Sequence, residues 1–324
     1  MRAQDLEIAH LTVELAEHPE VWSPLSAVEM LSFLIEHEFL DGLKQRRVLD
    51  FATGSGIVGI VCGLLGASSV TLSDYSAIAA TVSEHNAQRN GLTEVKGIQS
   101  DRFAQIPAEP YDLIISNPPV QPWLFTDLAH PDSRQQVAAW NEAGADGRLV
   151  LDALLKTAAN FLTPGGRLLT SSSSRHGHRQ TIQRFETHWA GRWRQVYAAQ
   201  HAILPDYHGP YIPLWQHLQA LDGDLRIYQL DSRGRRFAQQ RDAAGKPITL
   251  TTLELDEQVG PVTLRSLPSG DWSVQTPQGD HLTTLAATDH RLPGPATSDR
   301  WYYEYYLFEA CQAPAQFPSL QAQR

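Results

Sequence analysis

Gly54-Ser-Gly-Ile-Val-Gly59 is a glycine-rich run flanked by two acids, Asp50 four residues before it and Asp74 twenty residues after its first glycine. Taken alone, G-x-G-x-x-G with an acid about 20 residues on fits a dinucleotide-binding turn. Asp50 argues for a different ligand. A pyrophosphate would be repelled by a carboxylate closing the preceding strand, whereas a cation or a ligand amino group would be attracted. S-adenosylmethionine has a sulfonium, an ammonium and a ribose, and no phosphate. A loop without Cβ atoms still lets the backbone approach it closely. Asp74 can accept two ribose hydroxyls in charge-assisted bonds. Asp101 follows a later strand in Gln99-Ser-Asp-Arg-Phe103 and could accept from an adenine amino group, with Phe103 packing nearby.

A second constellation is Asn117-Pro-Pro119, after Tyr111-Asp-Leu-Ile-Ile-Ser116. Two prolines fix φ and remove two backbone donors, so the turn is stiff. The Asn117 side-chain carbonyl and the Pro118 backbone carbonyl can together accept both hydrogens of a planar NH2 group. That would turn the nitrogen toward a sulfonium methyl and gather negative potential where positive charge develops. No strong base is then needed.

The elements that must position these residues alternate. Ser26 to Leu43 reads as a helix. Arg47 to Phe51 is a short apolar strand, and the glycine turn leads from it into an apolar helix ending near Gly66. Ser69 to Asp74 is the next strand, and Ser76 can cap a helix that stops at Asn90-Gly91. Strands follow at about Val95 to Ser100 and Tyr111 to Ser116, then a helix at Gly147 to Phe161 and a strand at Arg167 to Ser171. Such alternation implies right-handed crossovers and a parallel sheet covered on both faces, with ligands at the carboxyl ends of its strands. From about Asp222 to Ser298 short strand-like runs replace helices, so a β-rich insertion is expected there. Trp301 to Phe308 returns as one long aromatic strand whose rings are expected to pack in the core. The expected fold is α/β, Rossmann-like, with a seven-stranded mostly parallel sheet. Its expected divisions are an N-terminal helical segment (1–46), a core (47–221), the β-rich insertion (222–298), the last core strand (299–311) and a tail (312–324).

These residues resemble a class I S-adenosylmethionine-dependent methyltransferase. More narrowly they are similar to the Asn-Pro-Pro-Tyr group that methylates planar nitrogens, including the HemK-like release-factor glutamine methyltransferases and related adenine and guanine N-methyltransferases. The matching positions are Asp50, Thr53-Gly-Ser-Gly56, Asp74, Asp101 and Asn117-Pro-Pro119. Val21-Trp-Ser-Pro24 resembles a pocket-lining segment that precedes the core in that group, and Asp146-Gly147 with Pro164-Gly-Gly166 resembles its later strand. The resemblance implies S-adenosylmethionine as cofactor, bound by Asp50, Thr53, Gly54, Gly56, Asp74, Tyr75, Asp101, Arg102 and Asn117. It implies Asn117, Pro118 and Pro119 as the catalytic corner. Trp22, Pro24, Val120, Trp123, Tyr207, His208 and Tyr211 are the expected substrate contacts. Val120 stands where the group has an aromatic residue, which removes a stacking surface for a nucleobase; Trp123 or Trp22 could replace it.

Composition narrows the acceptor. The 324 residues include 26 Lys+Arg against 36 Asp+Glu, a net charge of -10. Neither the first 200 residues nor the remainder carries a positive excess, which disfavours an extended nucleic-acid surface. A small molecule or a protein side-chain amide is the expected acceptor, with an RNA or DNA base, a nicotinamide-dependent oxidoreductase and a non-catalytic binding protein as alternatives. Two distant cysteines, Cys62 and Cys311, fit a reducing compartment. Thirteen histidines occur, but His176 and His178 have no ligand cluster around them and read as a polar loop over the site, so no metal is expected. The acidic N-terminus does not read as a signal peptide and no run approaches a membrane span. A cytoplasmic protein with no membrane association is the expectation; the oligomeric state is not legible.

Overall fold

In the computed structural model, residues 3–21, 25–122, 143–241, 247–252, 262–276 and 279–312 are described. The apolar run Arg47–Phe51 forms β3, with four of its five residues buried. Two earlier strands, β1 (Ala3–Ile8) and β2 (Leu11–Ala16), form an antiparallel hairpin ahead of helix α1 (Leu25–Glu36). The N-terminal segment expected to be helical is therefore a hairpin followed by a helix. Leu6, Ile8, Val13 and Leu15 alternate toward the interior, and the hairpin docks on the body through amides of helix α3 (Ala77–Arg89). Asn86 Oδ1 accepts the Ala16 N–H at 2.8 Å and Asn90 Oδ1 accepts the Glu14 N–H at 3.0 Å.

The remaining core strands are β4 (Ser69–Asp74), β5 (Val95–Gln99), β6 (Tyr111–Ser116), β7 (Leu162–Ser173), β8 (Trp193–Ala202) and β15 (Tyr302–Cys311). Their order is β5-β4-β3-β6-β7-β15-β8. β3 to β7 pair in parallel, and β15 runs antiparallel between β7 and β8. The fold is thus the α/β, seven-stranded, mostly parallel sheet that the alternation implies. The chain leaves β3 in one direction for β4 and β5 and returns on its other side as β6. A crevice opens where strand order reverses, at the carboxyl ends of β3 and β6.

Helices α1 and α2 (Ile57–Leu64) cover one face, with Met30, Leu34, Ile60 and Val61 buried. Helices α4 (Leu149–Thr157) and α5 (His178–Trp189) cover the other, burying Leu151, Leu155, Phe185 and Trp189. Glu309 of β15 is fully buried and holds Arg167 of β7 at 3.0 Å and Arg194 of β8 at 2.6 Å, tying three strands together. After β8 come α6 (Pro205–His208) and α7 (Ile212–Asp222).

The β-rich stretch forms a second sheet. It comprises β9 (Gln229–Leu230), β10 (Arg236–Arg241), β11 (Pro247–Thr252), β12 (Val262–Ser266), β13 (Trp272–Gln275) and β14 (His281–Leu285), an antiparallel meander in chain order. Its own core gathers Phe237, Leu250, Val262, Leu264 and Val274. It joins the body through the Tyr228–Tyr302 bridge and an Arg236–Glu304 ion pair of 2.7 Å.

Candidate active site

β3 carries Asp50 into the interior, where it is 1% exposed. Its Oδ2 accepts the Thr53 hydroxyl at 2.5 Å and the Gly59 N–H at 2.9 Å, gripping the glycine turn from both ends. Oδ1 is buried and has no protein partner. Burial raises the Asp50 carboxyl to about 7, against the opposing pull of the Thr53 and Gly59 hydrogen bonds. Gly54 has φ +54°, and a Cβ built there would meet nothing within 4 Å; it faces open space. Gly56 has φ +88°, and a Cβ there would lie 2.9 Å from Ser83 on α3. The first glycine leaves room for a ligand, and the second lets the turn pack on a helix.

Asp74 ends β4. Its Oδ2 accepts the Gly54 N–H and its Oδ1 the Ser76 N–H, both at 2.9 Å. Each carboxylate oxygen keeps a further lone pair, so the two can still receive a pair of hydroxyls. Burial raises its pKa, while the backbone donors act in the opposite direction. Tyr75 beside it is 59% exposed at the rim. Asp101 and Arg102 also line the cavity, as a half-exposed pair. Arg102 Nε and Nη2 bond both Asp101 oxygens at 2.9 and 3.0 Å, and this holds the carboxyl below its ordinary value. Phe103, expected near the ligand, stacks on Phe51 at 4.5 Å inside the core.

Asn117 follows β6, pinned between two elements. Its Nδ2 donates to Ser26 Oγ of α1 at 3.0 Å, and its Oδ1 accepts from Ser171 Oγ of β7 at 2.5 Å. No described residue donates to the Pro118 carbonyl. The Pro119 carbonyl accepts from His176 Nε2 at 3.3 Å. The Ser173 N–H donates to His176 Nδ1 at 3.2 Å, so the ring proton lies on Nε2. Burial and the neighbouring Arg148 guanidinium hold His176 neutral, far below its ordinary pKa.

A cavity of about 570 Å³ joins these features. It runs from Asp74 and Gly54, past Asn117, Pro118, Pro119 and Val120, to Ser171, Ser173, Arg175, His201, Tyr303 and Tyr305. Donor cradle and proline corner thus share one space. Glu29 of α1 lies on its wall, accepting from Tyr197 Oη at 2.9 Å and bonded to His201 Nε2 at 3.2 Å. Burial pushes the Glu29 carboxyl up, but the His201 and Tyr197 hydrogen bonds bring it below its ordinary value.

Of the expected substrate contacts, Val120 and His208 line the cavity. Tyr211 instead packs against Trp215 at 5.6 Å in a small separate core. Trp22, Pro24, Trp123 and the Tyr207 side chain lie outside the described residues. The rings of the aromatic strand pack in the core as expected, and on one face they also meet the cavity. Tyr303 and Tyr305 reach the cavity wall, because odd-numbered residues of β15 face α1 while Tyr306 and Phe308 pack below. Ser26, Ser171, Arg175 and Glu29 are cavity residues that the sequence did not single out. The run Ser171 to Ser174 at a strand end, closed by Arg175, was the available signal.

The described residues contain no cluster of three or more metal-ligating side chains, and none of their helices is long and apolar enough to cross a membrane. The donor set fits S-adenosylmethionine: an orphaned buried carboxylate oxygen on Asp50 for a cationic group, an open cradle at Gly54, and a two-oxygen acceptor at Asp74. Strand order, glycine turn and proline corner together are similar to those of class I S-adenosylmethionine-dependent methyltransferases.

Residues 12–129 match the family described as methyltransferase small domain. The chain is 33% identical to the release factor glutamine methyltransferase of Deinococcus radiodurans, covering 54% of this chain and 65% of that one. It is 36% identical to the release factor glutamine methyltransferase of Bordetella pertussis, covering 46% and 56%. It is 33% identical to the ribosomal protein uL3 glutamine methyltransferase of Francisella tularensis, covering 42% and 45%. The chain thus spans between 45% and 65% of the length of these three relatives.

Proposed function

We propose that this chain methylates an amide nitrogen, of the kind a glutamine side chain presents, in a protein or a small molecule. The observation that carries this reading is the Asn117 side chain, held by Ser26 and Ser171 at the mouth of the cradle formed by Gly54 and Asp74. The glutamine-directed relatives support it, as does the acidic chain.

S-adenosylmethionine, when bound, supplies a methyl group on a positively charged sulfur. Asp50 and the Thr53–Gly56 turn would hold its cationic end, Asp74 its ribose hydroxyls, and the Asp101–Arg102 loop the rim on the adenine side. Asn117 Oδ1 keeps a lone pair beyond the Ser171 bond, and the Pro118 carbonyl points from a rigid backbone. These two acceptors would grip both hydrogens of a planar amide, fix its rotation and stabilise charge developing on the nitrogen. Val120 offers no ring for stacking; Tyr303, Tyr305 and His201 furnish an aromatic wall that accepts an aliphatic stem.

The test uses deuterated-methyl cofactor and a peptide containing glutamine, with mass spectrometry locating the label. Label on the side-chain nitrogen supports the reading. Label confined to RNA or to an oxygen acceptor, when cell extract serves as substrate, would replace it.

A further inference from the structure

We propose that the acceptor carries an oxoanion, a carboxylate or a phosphate, received by Arg175 at the end of the cavity remote from the glycine turn. The position of the reacting nitrogen in this inference rests on the amide-methylation reading above; the anion site itself does not.

Arg175 is 7% exposed and lies over the Tyr303 ring, its guanidinium carbon 3.8 Å from the ring centre. Its Nε donates to Ser173 Oγ at 3.1 Å. Among the described residues no carboxylate pairs with it, and no acceptor receives its terminal nitrogens. The other deeply buried arginines are treated differently. Arg148 holds Asp152 at 2.6 Å and the His176 carbonyl at 2.5 Å. Arg226 holds Asp222 at 2.8 Å and the Arg175 carbonyl at 2.7 Å. A guanidinium withdrawn from water without a counter-charge is costly, and an aromatic face offsets only part of that cost. Its planar fork suits a bidentate oxoanion. His208, also on the cavity wall, is held neutral by burial and by the same guanidinium, so it adds no second cation.

Placement gives the anion a relation to the chemistry. Asp74, Asn117 and Arg175 follow β4, β6 and β7, so the proline corner lies between the donor cradle and the guanidinium along the sheet's edge. Ser171 bonds Asn117, and Ser173 bonds Arg175. Both serines line the cavity, two residues apart on one strand, a separation of roughly 7 Å. An anion at Arg175 is therefore only a few bonds from an amide at Asn117. That spacing matches a side-chain amide whose own molecule ends in a carboxylate, or whose neighbour bears an acid or phosphate.

The test loads the protein with S-adenosylhomocysteine and titrates three probes by calorimetry: N-acetylglutamine, its neutral carboxamide, and inorganic phosphate. The wild-type protein is expected to bind N-acetylglutamine at least tenfold more tightly than the carboxamide, with phosphate competing. Arg175→Met should erase the preference and the competition, and Arg175→Lys should keep part of both. S-adenosylhomocysteine affinity reports whether each variant folds. Should Arg175→Met fail that check, the charged-to-neutral preference of the wild type alone decides. Equal binding of the two glutamine probes, or no anion binding, overturns the proposal. Labelled methyl transfer is read separately. Transfer to a glutamine peptide without any anion preference removes the oxoanion site and leaves the function. Anion capture at Arg175 without transfer to any amide removes the function and leaves the site. Preference for the free acid over a peptide with an acidic neighbour marks a small-molecule source, and the reverse marks a protein.

Discussion

His176 donates from Nε2 to the carbonyl of Pro119, fifty-seven residues away in the chain, and so braces the proline corner from the turn that follows β7. The Ser173 N–H fixes the tautomer that makes this possible. The corner's stiffness therefore has two origins, the proline rings within it and a neutral imidazole behind it.

Replacing His176 with Ala should lower kcat by about tenfold to a hundredfold, since a small displacement of a positioning group has that scale of effect. S-adenosylhomocysteine affinity should stay near wild type, because the imidazole touches no cradle residue. Its depressed pKa keeps it neutral at and above neutral pH, so the wild-type rate should show no ionisation step from this ring there. Paired steady-state and calorimetric measurements check both parts.

Asp50 makes cofactor binding depend on pH. A carboxyl raised to about 7 is largely protonated at pH 6 in the unliganded protein, and a cationic ligand favours its ionised form. Affinity for S-adenosylhomocysteine, which keeps the ammonium, should fall about tenfold from pH 8 to pH 6, with proton release on binding. Asp50→Asn should bind more weakly and lose this slope. For folding, the sign is opposite. The unfolded carboxyl ionises near 4 and the folded one near 7, so the stability that the protonated Asp50 contributes is complete below about pH 4 and is lost as pH rises through 7. Urea unfolding across that window tests it.

Two glycines of one loop should respond differently. Gly54→Ala places a Cβ in the open cradle, so cofactor affinity should drop while stability falls by only about 1 kcal/mol for the left-handed backbone. Gly56→Ala drives a Cβ against Ser83 as well, and should cost about 2–3 kcal/mol. Thermal melts beside binding isotherms separate the two.

Glu309 is the buried anion that two arginines share across β7, β15 and β8. Removing it leaves two partly buried cations facing each other. Glu309→Ala should destabilise by about 3–5 kcal/mol, measured by chemical unfolding.

The core sheet and the cradle were legible because their signals are local. An apolar strand, glycines at fixed spacing and a capping Ser76 each announce themselves within a few residues, and Ser76 does accept the Ala79 N–H. The N-terminal hairpin was hidden by its turn. Ala9 takes φ +51° where a glycine or asparagine would have advertised the reversal. Arg175 and Tyr303 were hidden for another reason. Strand periodicity separates the two faces of β15 but does not say which face meets a cavity, and a serine run ending in arginine reads as a loop. Asn117's partners, Ser26 and Ser171, are 91 and 54 residues away, so only the folded sheet could reveal the clamp.

The central claim is that Asn117 orients the nitrogen that receives the methyl group. Single-turnover transfer from labelled cofactor to a glutamine peptide, comparing wild type with Asn117→Ala, tests it most directly. Loss of at least a hundredfold in the transfer rate, with S-adenosylhomocysteine affinity within about threefold of wild type, is the predicted result. An unchanged rate in a variant that still binds the cofactor product would contradict the account.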